Sequence, residues 1–401
     1  MNSKDLSNSD FQAIAYFAIG VTSEGSIGNR EVAYKLSFAG TEKEGRMIPV
    51  GNSGFSLGMI QTDLGQHKDV AKDLVRAYQD WAVKNKEASF PKEQEDKIIR
   101  ELGRTGEEIK SQGGKPLDRN VKFQINKFLA SSDGITFIHN HDIKQIKKLE
   151  QNIFNPLKET NLYKQVSVED KIKLATVNAK VYNQNESLGK KILTGLQHNR
   201  YKSIQEVTEM VDGVIKNKNN KPDYLESGYK HALKGANVIT ELIKANPSNP
   251  LFQAWEKISE NPLVNPNSFK GRQREDYLEI KHLFLNSDKA EKIIRKHNMQ
   301  PQLSPKHEKS LEKSEVNIPR PLVKNASDNE FREYGFAALL SDDDNKRYAA
   351  LDSLLDSNVG RGLRQNADKV YAVQESEQEM ARLAEEQARQ VDAPVMRMGR
   401  G

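Results

Sequence analysis

Two carboxylates stand where a glycosidic bond could be cut. Glu24 follows a largely apolar run, Phe11 to Val21, and sits among the small residues Thr22, Ser23, Gly25 and Ser26. Burial at the end of such a run disfavours the charged form of a carboxyl and leaves a proton for a leaving group. Asp63 lies 39 positions further on (63 − 24), near the end of a Gly- and Ser-rich stretch from Gly51 to Gln66. A second carboxylate brought opposite the first would hold water or stabilise an oxocarbenium-like transition state. Glu42 and Glu44 lie in the same expected lobe and compete with Asp63 for that role. Each residue also has a plainer use: glutamates at helix ends are usually solvated, and an aspartate before a helix complements its dipole.

The elements that must position these groups read as mainly α. Phe11, Ile14, Ala15, Ala18 and Ile19 share one face of a first helix, with Asn8, Ser9 or Asp10 available to cap it. Tyr34 to Phe38, Arg46 to Val50 and Phe55 to Leu57 predict a small β-hairpin lobe, with Ala39 to Gly45 as a turn. Val70, Leu74, Tyr78 and Trp81 predict an amphipathic helix after His67, and Lys84 to Asp118 reads as charged and mostly helical. Further helices are predicted over 120–129, from His141 to Ile153, and over 168–183, 188–196, 204–215, 224–245, 252–258 and 276–296. Ser131-Ser-Asp-Gly134 reads as a closing turn with Asp133 in it. The chain divides into a domain over 1–297, a Pro-containing linker over 298–325, and a helical C-terminal module and tail over 326–401.

Composition excludes several chemistries. The 401 residues contain no cysteine, so thiolate catalysis, disulfides and thiolate zinc sites are out. No phosphate-cradling Gly loop with Lys-Ser/Thr is present, so nucleotide hydrolysis has no support. His139-Asn-His141-Asp142 suggests a metal at strand spacing but has no third ligand nearby; a surface loop is the plainer reading, and no metal or cofactor is expected. The net charge is +5 with a sequence pI of about 8.9, and the cations are mixed with acids. That speaks against a nucleic-acid partner and permits an anionic polymer. The run at Phe11 lacks the basic n-region of a signal peptide, since Asp5 and Asp10 precede it, and no run reaches the ~18 residues of a membrane span. The expectation is synthesis in the cytoplasm without a cleaved signal peptide.

Taken together, Ser23-Glu24-Gly25 and Gly54-Phe-Ser-Leu-Gly-Met-Ile-Gln-Thr-Asp63 resemble the motif pair shared by goose-type lysozymes and soluble lytic transglycosylases of the lysozyme-like superfamily. The resemblance implies a lysozyme-like helical domain with a hairpin lobe. It maps the catalytic acid onto Glu24, the turn glycine and glutamine onto Gly58 and Gln61, and the additional aspartate of the goose-type branch onto Asp63. The transglycosylases lack that aspartate and cleave without water. Ala179-Lys-Val-Tyr-Asn183 is similar to the family's Tyr-Asn pair in a cleft-lining helix, which implies that Tyr182 bonds the acid with Asn183 beside it. Tyr182 equally continues the stripe of Ile172, Ala175 and Ala179. Asn52, Ser53 and Ser56 could bond sugar hydroxyls or simply close the turn. The sequence departs from the pattern in three ways: the interval from Glu24 to Gln61 is long, Ile60 is inserted between Met59 and Gln61, and the interval to Tyr182 implies a helical insertion. The chitosanase branch shares the same plan of helix glutamate and hairpin carboxylate.

The activity so implied is a muramidase acting on the β-1,4 bond of peptidoglycan glycan strands. Leu351 to Leu355 and Val370-Tyr-Ala-Val-Gln-Glu375 resemble the C-terminal delivery segments of secreted antibacterial effectors, with a small helical cap as the plainer reading. The effector reading implies action in the periplasm or cell wall of a target cell, a cognate immunity protein, and a secretion-system component that reads the C-terminal module. A phage-type endolysin and a non-enzymatic helical adaptor are the alternatives.

Overall fold

The computed structural model describes residues 5–27, 30–216 and 224–298. The linker beyond Asn298 and the C-terminal module with its delivery-like segments lie outside the described residues. The described part is mainly α with small antiparallel sheets. No helix in it is long and apolar enough to cross a membrane.

The first helix begins as α1 (Asn8–Ala13) and continues as a π-helix (Ile14–Glu24) that ends on Glu24. Its cap is Ser7, one residue before the predicted candidates, in a reciprocal capping box with Asp10. Every residue from Ala13 to Thr22 is buried, so this helix is an axis of the core and not an amphipathic surface element. Phe11 stacks on Phe154 at 4.5 Å, and Phe17 meets Phe284 and Trp255 at 5.1 and 5.5 Å. Each such fully buried side chain contributes about 1.5–3 kcal/mol through removal from water.

The chain then forms the β-lobe. β1 (Ser26–Ile27) pairs with β2 (Arg30–Glu31), and β4 (Gly40–Lys43) pairs with β5 (Arg46–Pro49). β3 (Ser37–Phe38), β6 (Phe55–Leu57) and β7 (Thr62–Asp63) form a three-stranded sheet with β6 in the middle. The stretch predicted as a turn at Ala39 to Gly45 is mostly strand β4. Only Glu44 and Gly45 turn, both at positive φ (52° and 71°), which suits a two-residue hairpin.

Helices α2 (Lys68–Asn85), α3 (Lys92–Leu102), α4 (Gly106–Ser111) and α5 (Arg119–Leu129) pack on the lobe through a second core, with Val70, Leu74, Tyr78, Ile98, Leu102 and Phe128 buried. Trp81, the last residue of the predicted stripe, is half-buried against the same core. Helix α6 runs over Ser132–Leu149, then a π turn (Glu150–Phe154), α7 (Asn155–Lys158) and α8 (Asn161–Gln165) follow. The predicted turn at Ser131 to Gly134 is in fact the start of α6: Ser131 is its N-cap and Asp133 lies in its first turn.

Helices α9 (Val168–Gln184) and α12 (Tyr224–Lys244) pack on the π-helix, and α10 (Glu186–Gln197), α11 (Ile204–Lys216) and α13 (Pro250–Glu260) extend the same core. Gly235 of α12 lies so close to it that a Cβ there would stand 2.6 Å from the Cα of Ala18. The helix predicted over 276–296 is two, α14 (Gly271–Leu285) and α15 (Ser287–Asn298). Asn286 breaks it: its side-chain amide donates to the carbonyl of His282 (3.0 Å) and its backbone leaves the helical region.

Candidate active site

A cleft of about 870 Å³ opens between the β-lobe, the end of the π-helix and α9. Glu24, Ser56, Gln61, Asp63, Tyr182 and Asn183 all line it, so folding brings together residues that stand up to 159 positions apart in the chain. Asn183 ties the two walls: its Nδ2 donates to Glu24 Oε1 and to the carbonyl of Ile60, each at 3.2 Å. The partner of the acid is thus Asn183 and not Tyr182. The Tyr182 hydroxyl is engaged elsewhere: it accepts from Asn152 (3.1 Å) and also bonds Glu186.

Glu24, expected after an apolar run and among small residues, also meets a cation. Lys180 of α9, with only 1% of its side chain exposed, forms an ion pair with Glu24 Oε1, while the Glu24 side chain keeps 15% exposure toward the cleft. Lys180 stands on a stretch, Lys171 to Tyr182, in which nearly every residue is buried. Burial lowers the affinity of its amine for a proton, and the charge of Glu24 offsets part of that.

The hairpin that faces Glu24 is shaped by a buried carboxyl on α6. Asp142, 2% exposed, accepts from Met59 N at Oδ2 (3.0 Å) and from Ile60 N at Oδ1 (3.1 Å). The turn thus aims two successive amides, those of Met59 and Ile60, at one carboxylate. Burial raises Asp142 to about 7, against the pull of those two amides. Gly58 takes φ +90°, and a Cβ on it would lie 2.6 Å from Asp142 Oδ1. Gly58 is therefore a close-approach point against α6 and not one of the residues that line the cleft. Gly58→Ala is expected to destabilise the protein by about 1–3 kcal/mol through the strained φ and the clash, read as a fall in the urea midpoint. Gln61, itself at φ +53°, donates its amide to Gly58 O (2.8 Å) and accepts from Ser56 Oγ (2.7 Å), so this polar pair is held by the turn it closes.

Asp63 ends β7, five residues before α2, and so is not a helix-dipole residue. Its Oδ1 accepts from Gly65 N (2.8 Å) and Gln66 N (3.3 Å). In the sheet, Ser37 pairs with Ser56 and Ser56 pairs with Asp63, which sets these side chains in one row across three strands. The residues Ser37 and Thr62 border the cleft, but their hydroxyl oxygens are shielded from solvent and have no partner among the described residues. Asn52 is already engaged: its Oδ1 accepts from Glu107 N (2.9 Å).

His139 and His141 are not a surface loop. Both lie within α6 and are buried, and His139 Nε2 meets the carbonyl of Leu263 at 3.0 Å. Two residues apart on a helix, their rings are turned about 200° from each other and cannot share a metal. Burial lowers both.

Sequence reasoning missed Lys180 and Asp142 as parts of the site. A lysine within Ala179-Lys-Val-Tyr-Asn183 reads as a solvated position, and no local signal marks it as buried. Asp142 carries one weak signal, its place beside two histidines in an otherwise apolar helical period. Compared with protein-family models, with known proteins and with solved structures, the chain matches none.

Proposed function

We propose that this protein is a peptidoglycan hydrolase of lysozyme-like design, a muramidase that cuts the β-1,4 bond between N-acetylmuramic acid and N-acetylglucosamine. The observation that carries the reading is that Glu24, at the end of a buried helix, shares one polar cleft with Asp63 and with the Ser56, Gln61 and Asn183 side chains. Glu24 protonates the leaving oxygen and Asp63 positions the attacking water, an inverting course. In this reading the enzyme is an antibacterial effector, exported through its C-terminal module, with an immunity protein in the producing cell.

Digestion of purified sacculi tests the activity. Reducing muropeptides identified by mass spectrometry are the expected product, and their absence at every pH tried would end the hydrolase reading. One observation favours a second outcome: Asp63 Oδ1 is occupied by two backbone amides, as in a residue that merely closes a turn. A lytic transglycosylase, which needs no water-positioning carboxylate, would yield 1,6-anhydro products. Asp63→Asn separates the two. A hydrolase is expected to lose about 10²-fold or more of its rate, whereas a transglycosylase would keep most of it.

A further inference from the structure

Lys180 has no task in the mechanism above, yet it is the most deeply buried charge in contact with the reacting groups. Its ammonium has exchanged hydration for one carboxylate, Glu24, and among the described residues no second acid pairs with it. A buried ion pair is rarely better for stability than apolar residues of the same volume, so packing alone does not account for a lysine here. The pair is asymmetric: Glu24 faces the cleft and its water, and Lys180 faces the core. Filling the cleft removes the water that solvates the carboxylate, and a dry ammonium–carboxylate contact then gains from becoming neutral.

We infer that Lys180 is the proton store for Glu24: when a glycan strand closes the cleft, the ammonium passes a proton to the carboxyl that will protonate the leaving oxygen. The inference rests on the muramidase reading. In the first step an Nζ–H bond breaks and an Oε1–H bond forms, which leaves a neutral amine and a neutral acid. Glu24 then gives that proton to the glycosidic oxygen as its bond to the anomeric carbon breaks, with the bonding electron pair staying on the oxygen. Water adds to the carbon, its proton leaves through Asp63 to solvent, and Lys180 is reprotonated from solvent. Two groups in contact titrate as a unit, so the active form is the one that carries a single shared proton. The other ionisable groups lining the cleft are Asp63 and His67, Lys148 of α6, Glu186 of α10 and Tyr182 of α9 itself, with Asp142 of α6 behind the turn that faces Glu24; Tyr229 of α12 bonds Asp212 of α11.

The test is the pH–rate profile of sacculus digestion for wild type, Lys180→Met and Lys180→Arg. Wild type is expected to stay active on the alkaline side of neutrality. Lys180→Met should lose that alkaline limb, its half-maximum moving at least about one pH unit toward acid, because Glu24 must then hold the proton alone. Lys180→Arg keeps the positive charge but releases no proton, so it too should lose the limb. A merely structural lysine would lower the rate equally at all pH values and be rescued by arginine, and that result would overturn the inference. Should both variants fail to fold, carboxyl ¹³C NMR of glutamate-labelled wild type decides. With saturating chitohexaose at alkaline pH, the signal that Glu24→Gln removes should move from the carboxylate to the carboxylic-acid position, and an unmoved signal counts against the proton store. Digestion by wild type with unshifted variant profiles sinks the proton store alone, and no digestion by wild type sinks the muramidase reading with it.

Discussion

Glu24→Gln is expected to cut the release of muropeptides from sacculi by about a thousandfold while leaving the fold intact, since a positioned general acid contributes about 10²–10⁴ in rate. Glutamine cannot donate the proton, but its carbonyl still offers Lys180 Nζ an acceptor where Glu24 Oε1 now stands. Like leucine, glutamine leaves the buried ammonium without a counter-charge, but it keeps that acceptor, so it loses less stability. Glu24→Leu removes both charge and acceptor from a lysine that is 1% exposed, and removing one partner of a buried pair costs about 3–5 kcal/mol. Thermal melts of the two variants beside wild type check this, with the glutamine form melting between wild type and the leucine form. Full activity in a stably folded Glu24→Gln protein would remove Glu24 as the acid. It would also favour a helical adaptor whose carboxylates are incidental.

The second large effect concerns stability and pH. Asp142 is raised from an ordinary value of 3.8 to about 7 by burial. An acid raised in the folded state binds its proton more tightly there than in the unfolded chain. Its contribution is therefore fully present below about pH 4 and is lost as pH rises through about 7. Each tenfold difference in proton affinity is worth about 1.4 kcal/mol, so the loss across that window reaches about 4 kcal/mol. Asp142→Asn removes the titration. It also gives up one of the two amide bonds, because its NH₂ cannot accept from both Met59 N and Ile60 N. The asparagine variant is thus expected to be the weaker protein at pH 4–5 and to close on wild type as pH approaches 8, measured as urea midpoints at half-unit intervals. Parallel curves for the two proteins would mean that Asp142 does not titrate in this window.

Much of this architecture is local in origin. The α2 stripe of Val70, Leu74 and Tyr78 and the placement of Glu24 at the end of an apolar run were legible from side-chain type and period alone, because helix geometry repeats over a few residues. The two-residue turn at Glu44-Gly45 was nearly so, although its flanking strand was not, since short polar strands take their stability from the partner they pair with. The break at Asn286 was hidden for a related reason: one side-chain amide competing for a helix carbonyl leaves the apolar period on both sides undisturbed.

The sequence by itself determined a mainly helical chain with a polar, glycine-rich lobe, and it singled out Glu24 and the residues from Ser56 to Asp63 as neighbours of a site. Tertiary structure alone decided what surrounds the acid. The choice of Asn183 over Tyr182 as the partner of Glu24 follows from how α9 is rotated against the π-helix. Lys180 and Asp142 became buried charges only because other helices closed over them. A charged residue in a helix is ordinarily solvated, and its burial depends on packing partners far along the chain, which no local pattern encodes.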